Sequence, residues 1–591
     1  MKLLLDFLNQ IPEFEQLAAA LDSGRSPVAV SGLSPVHRAY FAAGLRERTG
    51  RPVVLLCADE AEGEKLQADL RSLTGEEVFL LPAREFTFHN AAVASREWEH
   101  KRLRVLWALR KGKVPFLVAP AEALLQRTIP AEGLDQLSFI LREGERYDLN
   151  QLTEQLAAAG YTRCDQVEGV GQFALRGGIL DVFSPAGALP LRLEFFDDEV
   201  DSMGLFEPGS QRRTERVAQG VILPTAEVLP QAAPGGVSGL AKALDQRLAA
   251  AVKKGAPDQL LVTLHQDKEL LENGLSFPAV DRYLGLIYPK MASALDYLPP
   301  DAAVLLSESP RFLERCKNYL WQVGEDVTAL SESGVMLPEL GRLCLTPEEL
   351  AAGLENWPVA YLDAFTSQYP QKPKALLTVT AKLLPSFGVS LETAVSDLSH
   401  YISAGFSVVV LSGTEQRCLN LQALLREQKV RTAVDFQLRA LPKPGQAVLC
   451  CGGLSAGMEF PGAKVAVLTE GQAAPVKKRR AKGPTNREKL KSYADLTPGD
   501  LVVHQVYGIG RYQGMVKMPV DGIEKDYVKI AYAGADVLYV PATQLDQVSK
   551  YIGGGEDANE TKKLSKLGGG DWERQKSRAK KAVQDLAKGL I

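Results

Sequence analysis

The sequence predicts a multidomain protein of α/β and α+β type: a parallel sheet interrupted by an inserted domain, a second small α/β domain, and a small β-barrel followed by a helix. Three observations predict it. Strand and helix patterns alternate at the start of the chain, the pattern changes near residue 131, and short strands crowd residues 495–551. Alternation of strands and helices is typical of parallel sheets, and short strands between turns are typical of small barrels.

The composition is that of an ordinary globular protein. The chain has 591 residues, of which 46% are hydrophobic and 24% charged. Its length suits roughly four domains. The net charge of −4 excludes a surface that is basic throughout, so any contact with nucleic acid must be local.

The seven cysteines include no C-x-x-C pair and the histidines are scattered, so neither a zinc site nor a disulfide framework is predicted. The N-terminus lacks the apolar stretch of a secretory signal, and no segment has the ~20 apolar residues that span a bilayer. We therefore expect a cytoplasmic monomer with reduced thiols, no metal and no membrane partner.

Residues 1–130 are expected to form the first segment of the parallel α/β domain. Short apolar strands alternate there with stretches of helical spacing. The strands are predicted at Val28–Val30, Val53–Cys57, Val78–Leu81 and Phe116–Ala119, and the helices at Pro35–Glu47, Ala61–Leu73 and Glu97–Lys111.

Two further domains and a second segment of the first domain are expected before the basic stretch. Residues 131–225 form an inserted α+β domain, 226–380 the second segment of the first domain, and 381–472 a small α/β domain. The inserted domain has a predicted helix at Leu152–Ala159 and strands at Gly171–Leu175, Ile179–Phe183 and Leu191–Phe196. Later strands are predicted at Gln259–Thr263, Ala303–Ser307, Phe406–Leu411, Val430–Val434, Ala447–Cys451 and Val465–Leu468.

A basic linker, 473–494, separates these domains from the β-barrel at 495–551. Between residues 473 and 491 it has eight Lys or Arg against one acid, and a solvated tether is the expected role, with a weak DNA contact as the alternative. Residues 552–591 are expected to form a glycine-rich loop and a basic helix, Asp571–Ile591, inside which the chain is expected to be cut.

The first strand leads into a turn where a nucleotide-binding protein would have its phosphate loop. The motif G-x-x-x-x-G-K-[ST] needs its second glycine so that backbone N–H groups wrap the phosphates, and its hydroxyl to hold magnesium. Aligned on Gly32, this chain has other residues at the last three places. They are His37, Arg38 and Ala39. We expect a degenerate loop that binds no ATP.

Two further motifs have the residues of catalytic sites without the necessary context. The acidic pairs Asp59-Glu60 and Asp198-Glu199 follow apolar strands, but no phosphate loop accompanies them. The G-x-S-x-G motif at Gly453–Gly457 runs into Pro461, where a nucleophile elbow requires a helix. We expect a glycine-rich turn there and predict no catalytic residue in the chain.

The most specific pattern lies within Gly160–Ser202. It reads GQFALRGGILDVF over Gly171–Phe183 and LRLEFFDDEVDS over Leu191–Ser202. This pattern resembles the UvrA-binding domain shared by the repair protein UvrB and the transcription-repair coupling factors, the Mfd family. Leu81–Glu85 and Ala121–Arg127 resemble the first domain of the same families.

Two features favour the coupling factors over UvrB. UvrB has an intact phosphate loop and a long aromatic hairpin that clamps damaged DNA, whereas here Arg84–Asn90 passes almost directly to Ser95 and a helix. In addition, the polymerase-interaction domain of the coupling factors, a Tudor-like barrel akin to CarD regulators, is resembled by Gly499–His504, Tyr507–Tyr512, Gly514-Met515 and Leu538–Pro541. A UvrB-type repair subunit acting with UvrA, and a CarD-like promoter regulator, are the alternatives.

The resemblance implies a function and partners. Members of the family bind stalled RNA polymerase through its β subunit and recruit UvrA to DNA lesions, in transcription-coupled nucleotide excision repair. Their motor, which uses ATP and Mg²⁺, would follow Ile591. This chain is therefore expected to need no cofactor and to contact DNA only weakly.

The resemblance places the UvrA contacts at Arg176, Arg192 and Phe196. Guanidinium groups offer planar donors to carboxylates, and an exposed aromatic ring offers an anchor. From spacing alone the alternative is that Phe196 is buried and the arginines pair with acids of Asp197–Glu199. Phe195 and Phe196 point to opposite faces of a strand, so one of them is free to face solvent.

The polymerase contacts are placed at Arg511, Tyr512 and Met515 by the resemblance, and at Met518 by its own surroundings. Met518 is apolar among polar neighbours, and a contact with polymerase and packing against its own barrel are equal alternatives. The strand Arg511–Met518 is expected to pair edge to edge with a strand of the polymerase β subunit.

Overall fold

The computed structural model forms two compact units, residues 1–474 and 475–591. The residues that it describes are 1–89, 96–275, 277–387, 391–471, 487–489, 499–504, 507–520, 523–533, 536–541 and 548–551. Among them, no helix combines the length and the apolar character that crossing a bilayer requires.

A seven-stranded sheet forms the centre of the first unit, and all of its strands run parallel, as predicted. Residues before and after the inserted domain contribute to it, so one sheet is assembled from two segments. Parallel neighbours require crossovers, which place helices on the faces of a sheet. In spatial order the strands are Ala375–Thr378, Val28–Ser31, Val359–Leu362, Ala303–Ser307, Val53–Cys57, Phe116–Pro120 and Val78–Leu80.

Helices cover both faces because the strands are apolar on both sides. Val53–Cys57 is buried throughout, and its residues alternate between two hydrophobic clusters. Pro35–Thr49 begins with proline and ends at Gly50, whose φ of 69° suits glycine. The other helices here are Lys2–Gln10 (3-10), Pro12–Asp22, Glu60–Thr74, Glu97–Arg110, Ala121–Leu125, Ala131–Leu137, Ser309–Glu332, Pro338–Leu340 (3-10) and Pro347–Leu354, and a short strand pair joins Arg127–Thr128 to Ala292–Ser293.

Residues 226–300 hold a helical layer, and the strand predicted at Gln259–Thr263 is wrong. These residues begin the helix Asp258–Glu272. A short apolar run fits a strand or a buried helical turn equally well. The helical spacing of the surrounding leucines favours the helix, because Leu260, Leu264 and Leu271 lie on one face and are all buried. The other elements are the helices Gly236–Lys253 and Leu284–Ile287 and the 3-10 helices Pro230–Ala232, Pro278–Tyr283 and Ala294–Tyr297.

The inserted domain is a six-stranded sheet that is antiparallel except for its last pair. Its inner face packs with the helix Leu149–Ala158 around one hydrophobic core. A separate strand pair, Phe139–Arg142 with Gln219–Ile222, closes the domain where the chain enters and leaves it. In spatial order the six strands are Arg213–Arg216, Glu199–Phe206, Leu191–Phe196, Ile179–Val182, Gln172–Arg176 and Thr162–Arg163.

The predicted second α/β domain is present and has its own six-stranded sheet. The helices Leu391–Ser403 and Glu415–Glu427 precede and follow its central strand Ser407–Ser412, and residues of both helices pack with residues of the sheet in a separate core. In spatial order the strands are Lys382–Leu384, Gly457–Phe460, Val465–Thr469, Ser407–Ser412, Gln446–Cys451 and Ala433–Val434.

The second unit contains a six-stranded antiparallel sheet where the sequence predicted a small barrel; we call it the β domain. One of its strands, Arg487–Lys489, belongs to the predicted linker, so that the linker prediction is wrong for these residues. The predicted helix Asp571–Ile591 lies outside the described residues. In spatial order the strands are Arg487–Lys489, Val548–Tyr551, Leu501–His504, Gly508–Val520, Ile523–Ala531 and Val537–Pro541.

A buried charge network joins the segments of the first unit. Arg102 and Glu227, both without exposed surface, form an ion pair with Nε and Oε1 2.9 Å apart. Arg84 pairs with Asp281 at 2.8 Å and lies 3.6 Å from Glu227. Because Glu227 lies just beyond the returning strand of the inserted domain, this network fixes where that domain attaches.

We predict that Glu227→Gln destabilises the first unit by about 3–5 kcal/mol, because Arg102 would then be a buried, unpaired charge. The measurement is the midpoint of urea unfolding, followed by near-ultraviolet circular dichroism. The control is Glu339→Gln, whose ion pair with Arg247 is exposed; it should change the stability by less than about 1 kcal/mol. Equal midpoints for the two variants would show that the network does not hold the unit together.

Candidate interaction sites

One buried carboxylate holds both arginines of the inserted domain. Asp181 has no exposed surface. Arg192 donates to it from Nε at 2.6 Å and from Nη2 at 2.8 Å, and Arg176 donates from Nη2 at 2.9 Å. Such charge-assisted bonds are strong and directional, so they fix both guanidinium groups. The alternative pairing with Asp197–Glu199 is wrong; Arg146 pairs with two of those acids instead.

Strand register brings these three side chains together. Arg192 stands directly opposite Asp181 in the antiparallel ladder, and Arg176 lies on the next strand, opposite Ile179. Because side chains alternate along a strand, these positions face away from the core of the domain. Asp181 was not among the predicted site residues, although an acid in the middle of an apolar strand could have indicated it.

Arg192 is held more tightly than Arg176. It also donates to the backbone O and to Oε1 of Gln211 at 3.2 and 3.1 Å, and its guanidinium lies 4.4 Å from the ring centre of Phe206. The hydrogen bonds to Asp181 raise the pKa of Arg192. Its side chain is 17% exposed against 51% for Arg176, which therefore keeps donors that a partner can reach.

Phe196 ends its strand with its ring in solvent, 81% exposed. Phe195 packs toward the core instead, which confirms that one of the pair faces outward. The N–H of Phe195 donates to the O of Gly178 at 2.7 Å. This bond holds the turn before Ile179–Val182 close to the turn after Leu191–Phe196. We call the resulting surface the arginine–phenylalanine face; its members are Arg176, Ile179, Asp181, Arg192 and Phe196.

The β domain uses part of the predicted polymerase site for its own core. Tyr512 is 4% exposed and Met515 packs against the same core. The side chain of Tyr512 therefore cannot be a surface contact, which corrects that prediction. Arg511 is partly exposed and donates from Nη1 to the O of Gly499 at 3.2 Å. Met518 lies in the same strand, and its side chain is outside the described part of the chain.

The strand that contains these residues, Gly508–Val520, is interior for only part of its length. Its first four residues pair with Leu501–His504. From Arg511 onward it pairs on its other side with Ile523–Ala531. Beyond Tyr512, no strand among the described residues pairs with the side of Gly508–Val520 that faces Leu501–His504. A strand of a partner can be added at such an edge.

The residues of the degenerate phosphate loop are engaged by the protein itself. The N–H groups of Gly32 and Leu33 donate to the O atoms of Ala364 and Asp363 at 3.1 and 3.0 Å. Gly32 has a φ of 90°, and a Cβ there would lie 2.0 Å from the O of Val379. The glycine therefore permits the close approach of another chain segment, and its N–H group does not point to a free site.

Arg38 fills the place of the phosphate-binding lysine with a closed network. It forms ion pairs with Glu62, at 3.5 Å, and with Glu308, and it donates to the O of Leu33 at 3.0 Å. His37 is buried; burial lowers its pKa to about 4, and its Nδ1 accepts the N–H of Ser34 at 3.2 Å. Ala39 is also buried.

The other catalytic-looking motifs have structural partners. Asp59 caps a helix by accepting the N–H of Glu62 at 2.9 Å. Ser455, in the G-x-S-x-G motif, donates from its N–H to the buried Asp69 at 2.7 Å, and a strand follows it, Gly457–Phe460. A nucleophile elbow needs a helix at this place. In the part of the chain that the structure describes, no cluster of His, Cys, Asp and Glu has a metal-binding arrangement.

Two parts of the chain match models of known families. Residues 139–227 match the UvrB interaction domain, and residues 496–552 match the CarD-like/TRCF RID domain. The fold and its two surfaces thus define a protein that combines a UvrB-type interaction module with a CarD-like module. The first match contains the whole arginine–phenylalanine face, and the second contains most of the β domain.

Along its whole length the chain is similar to transcription-repair-coupling factors. It is 32% identical over 594 residues, 99% of the chain, to that of Bacillus subtilis (strain 168). It is 28% identical over 597 residues to that of Staphylococcus aureus (strain MRSA252) and 29% identical over 595 residues to that of Staphylococcus haemolyticus (strain JCSC1435). The chain spans about half the length of these relatives, 50% of each. The predicted resemblance is confirmed and is favoured over the UvrB alternative.

We predict that the chain does not bind ATP, because Arg38 and the amides of Gly32 and Leu33 already have partners. The experiment is a calorimetric titration with ATP and Mg²⁺ at up to millimolar concentration, and the heats should equal those of dilution. A saturable isotherm in the micromolar range would contradict the degenerate assignment of this loop.

Proposed function

We propose that the chain is a docking platform of transcription-coupled nucleotide excision repair. Its inserted domain binds UvrA, and its β domain binds the β subunit of RNA polymerase, so that repair is brought to a stalled polymerase. The observation that carries the proposal is Phe196, a largely exposed aromatic ring beside an arginine pair that Asp181 holds, within the match to the UvrB interaction domain.

The arginine–phenylalanine face has the chemistry of a small hot spot. An exposed ring loses contact with water when it enters a pocket, and an arginine adds bidentate bonds to a carboxylate. Asp181 fixes both guanidinium groups before a partner arrives, which lowers the entropy lost on binding. The complementary surface on UvrA is therefore expected to offer an apolar pocket flanked by carboxylates.

We predict that Phe196→Ala weakens UvrA binding by about 2 kcal/mol or more, roughly 30-fold in Kd, because it removes the aromatic anchor. Arg176→Ala should weaken it as well, since Arg176 holds the reachable donors. The measurement is surface plasmon resonance with immobilised UvrA.

The matched control is Phe365→Ala, because Phe365 is also 81% exposed but lies outside the inserted domain. It should leave the affinity for UvrA unchanged. Wild-type affinity of Phe196→Ala, or equal losses in both phenylalanine variants, would remove the arginine–phenylalanine face as the UvrA site.

The β domain supports the second half of the proposal. Its core side chains, Tyr512 among them, hold the strand Gly508–Val520 in place. The stretch beyond Tyr512 is then a template for an added strand, whose main-chain bonds supply affinity. Arg511 and Met518 are the side chains that we propose to contact the polymerase.

We predict that Met518→Arg abolishes binding to RNA polymerase, because burying an unpaired charge in the contact is costly. The control is Tyr539→Arg, which places the same charge at a 39% exposed position in Val537–Pro541, at the far end of the sheet. Co-precipitation with polymerase should fail for the first variant and succeed for the second. The reverse result would move the docking site to the other end of the sheet.

The proposal also covers ATP-driven translocation, the cofactor, the location and the oligomeric state. ATP-driven translocation, with its need for ATP and Mg²⁺, is assigned to the half of the relatives that this chain does not span. The chain is proposed to act as a cytoplasmic monomer without a cofactor of its own. ATP-dependent release of a stalled polymerase by this chain alone would contradict that division of work.

A further inference from the structure

The second α/β domain carries a row of cations along one edge of its sheet. The strands Val465–Thr469, Ser407–Ser412, Gln446–Cys451 and Ala433–Val434 are parallel neighbours, so their amino ends meet at the same edge. A basic residue lies just before three of these four strands. In spatial order the cations are Lys464, Lys443, and the pair Arg431 and Lys429.

These four cations are exposed. Within the described ranges, none of them has a carboxylate oxygen within 4.0 Å, whereas most arginines of the first unit are paired. Two helices also end at this edge, and their carbonyl ends favour nearby cations. That effect covers Lys429 and Arg431, which follow a helix. It also covers Lys464, whose Nζ donates to the O of Ala404, just beyond Leu391–Ser403, at 3.4 Å. It does not cover Lys443.

A cleft of about 690 Å³ lies between the cations and the helix Leu391–Ser403. Lys429 and Arg431 line it, together with Ser399, Ser403, Thr432 and Gln446, and no acidic residue is among its lining residues. The hydroxyl of Thr432 is buried and, in the described part of the chain, has no hydrogen-bond partner. The cleft thus combines positive charge with a donor that lacks an acceptor.

Two of the cations stand at strained positions. Lys429 has a φ of 63° and Lys464 a φ of 50°. This left-handed region suits glycine, and a helix usually ends there with glycine or asparagine. A lysine at each place costs stability that a glycine would not, and such outliers cluster at functional sites.

We propose that this edge, which we call the basic edge (Lys429, Arg431, Lys443 and Lys464), binds the phosphodiester backbone of nucleic acid. Neighbouring strands lie ~4.8 Å apart, so the row spans three intervals, about 14 Å. A row of that length reaches more than one phosphate of a duplex strand, whereas a single phosphate would occupy only one interval. The net charge of −4 makes such a local patch the form that a nucleic-acid contact must take in this chain.

The test removes two charges without disturbing the backbone. Lys429→Asn keeps a residue that tolerates the left-handed conformation, and it is combined with Arg431→Gln. Binding of the full chain to a fluorescein-labelled duplex of about 20 base pairs is followed by anisotropy as a function of salt. We expect the affinity to fall on the order of tenfold at low salt, and the slope of log K against log salt to become less steep by about 2.

The matched control is Lys253→Gln with Lys254→Gln, which removes two exposed charges at the end of Gly236–Lys253. It should retain the wild-type slope, and Lys429→Arg with Arg431→Lys should restore it. Equal losses in the test and control pairs, or no loss in the test pair, would overturn the proposal. Inorganic pyrophosphate is the competitor for a compact phosphate ligand. Displacement of the duplex by micromolar pyrophosphate would overturn the assignment to a polymer backbone.

Discussion

The ion pair between Arg102 and Glu227 is the contact on which the architecture of the first unit depends. Neither side chain touches water, so breaking the pair would leave a bare charge in the core. Arg102 also donates to the O atoms of Pro82 and Ala123 at 3.0 and 2.8 Å. One guanidinium thereby ties the segment after the third strand, a crossover helix and the return from the inserted domain into a single body.

Ion pairs between arginine and a carboxylate have two different roles elsewhere in that unit. The exposure of the arginine side chain distinguishes the two roles. Arg38 is enclosed with Glu62 and Glu308, so its network closes the place of a phosphate loop and leaves nothing for a ligand. Asp181 also forms ion pairs with two arginines, but the side chain of one of them, Arg176, remains half exposed. A buried carboxylate there serves as a support for a reachable cation, which is what a docking surface requires.

The periodicity of hydrophobic residues predicted most of the fold, because a long stretch of strand or helix spacing fits only one type of element. The strand Val53–Cys57 and the parallel sheet around it were expected and are present. The failures are local. Gln259–Thr263 is too short to show its helical period, and Arg487–Lys489 pairs with a strand about sixty residues further along, which no local pattern reveals.

The sites show a similar division. The resemblance supplied Arg176, Arg192 and Phe196, and the exposed ring of Phe196 agrees with it. The place of Asp181 depends on strand register and that of Gln211 on the turn between Glu199–Phe206 and Arg213–Arg216, and sequence spacing determines neither. Tyr512 was expected at a surface, yet alternation along its strand turns it into the core. A tyrosine in a short strand can face either the core or solvent, so only the pairing of the strands in the sheet shows which face it occupies.

We propose that two separate surfaces let this chain connect UvrA to RNA polymerase. The direct measurement is a bridging assay: polymerase is immobilised, the chain is added, and retention of UvrA is recorded with and without it. UvrA should be retained only when the chain is present. Displacement of the chain from polymerase by UvrA, or retention of UvrA without the chain, would contradict it.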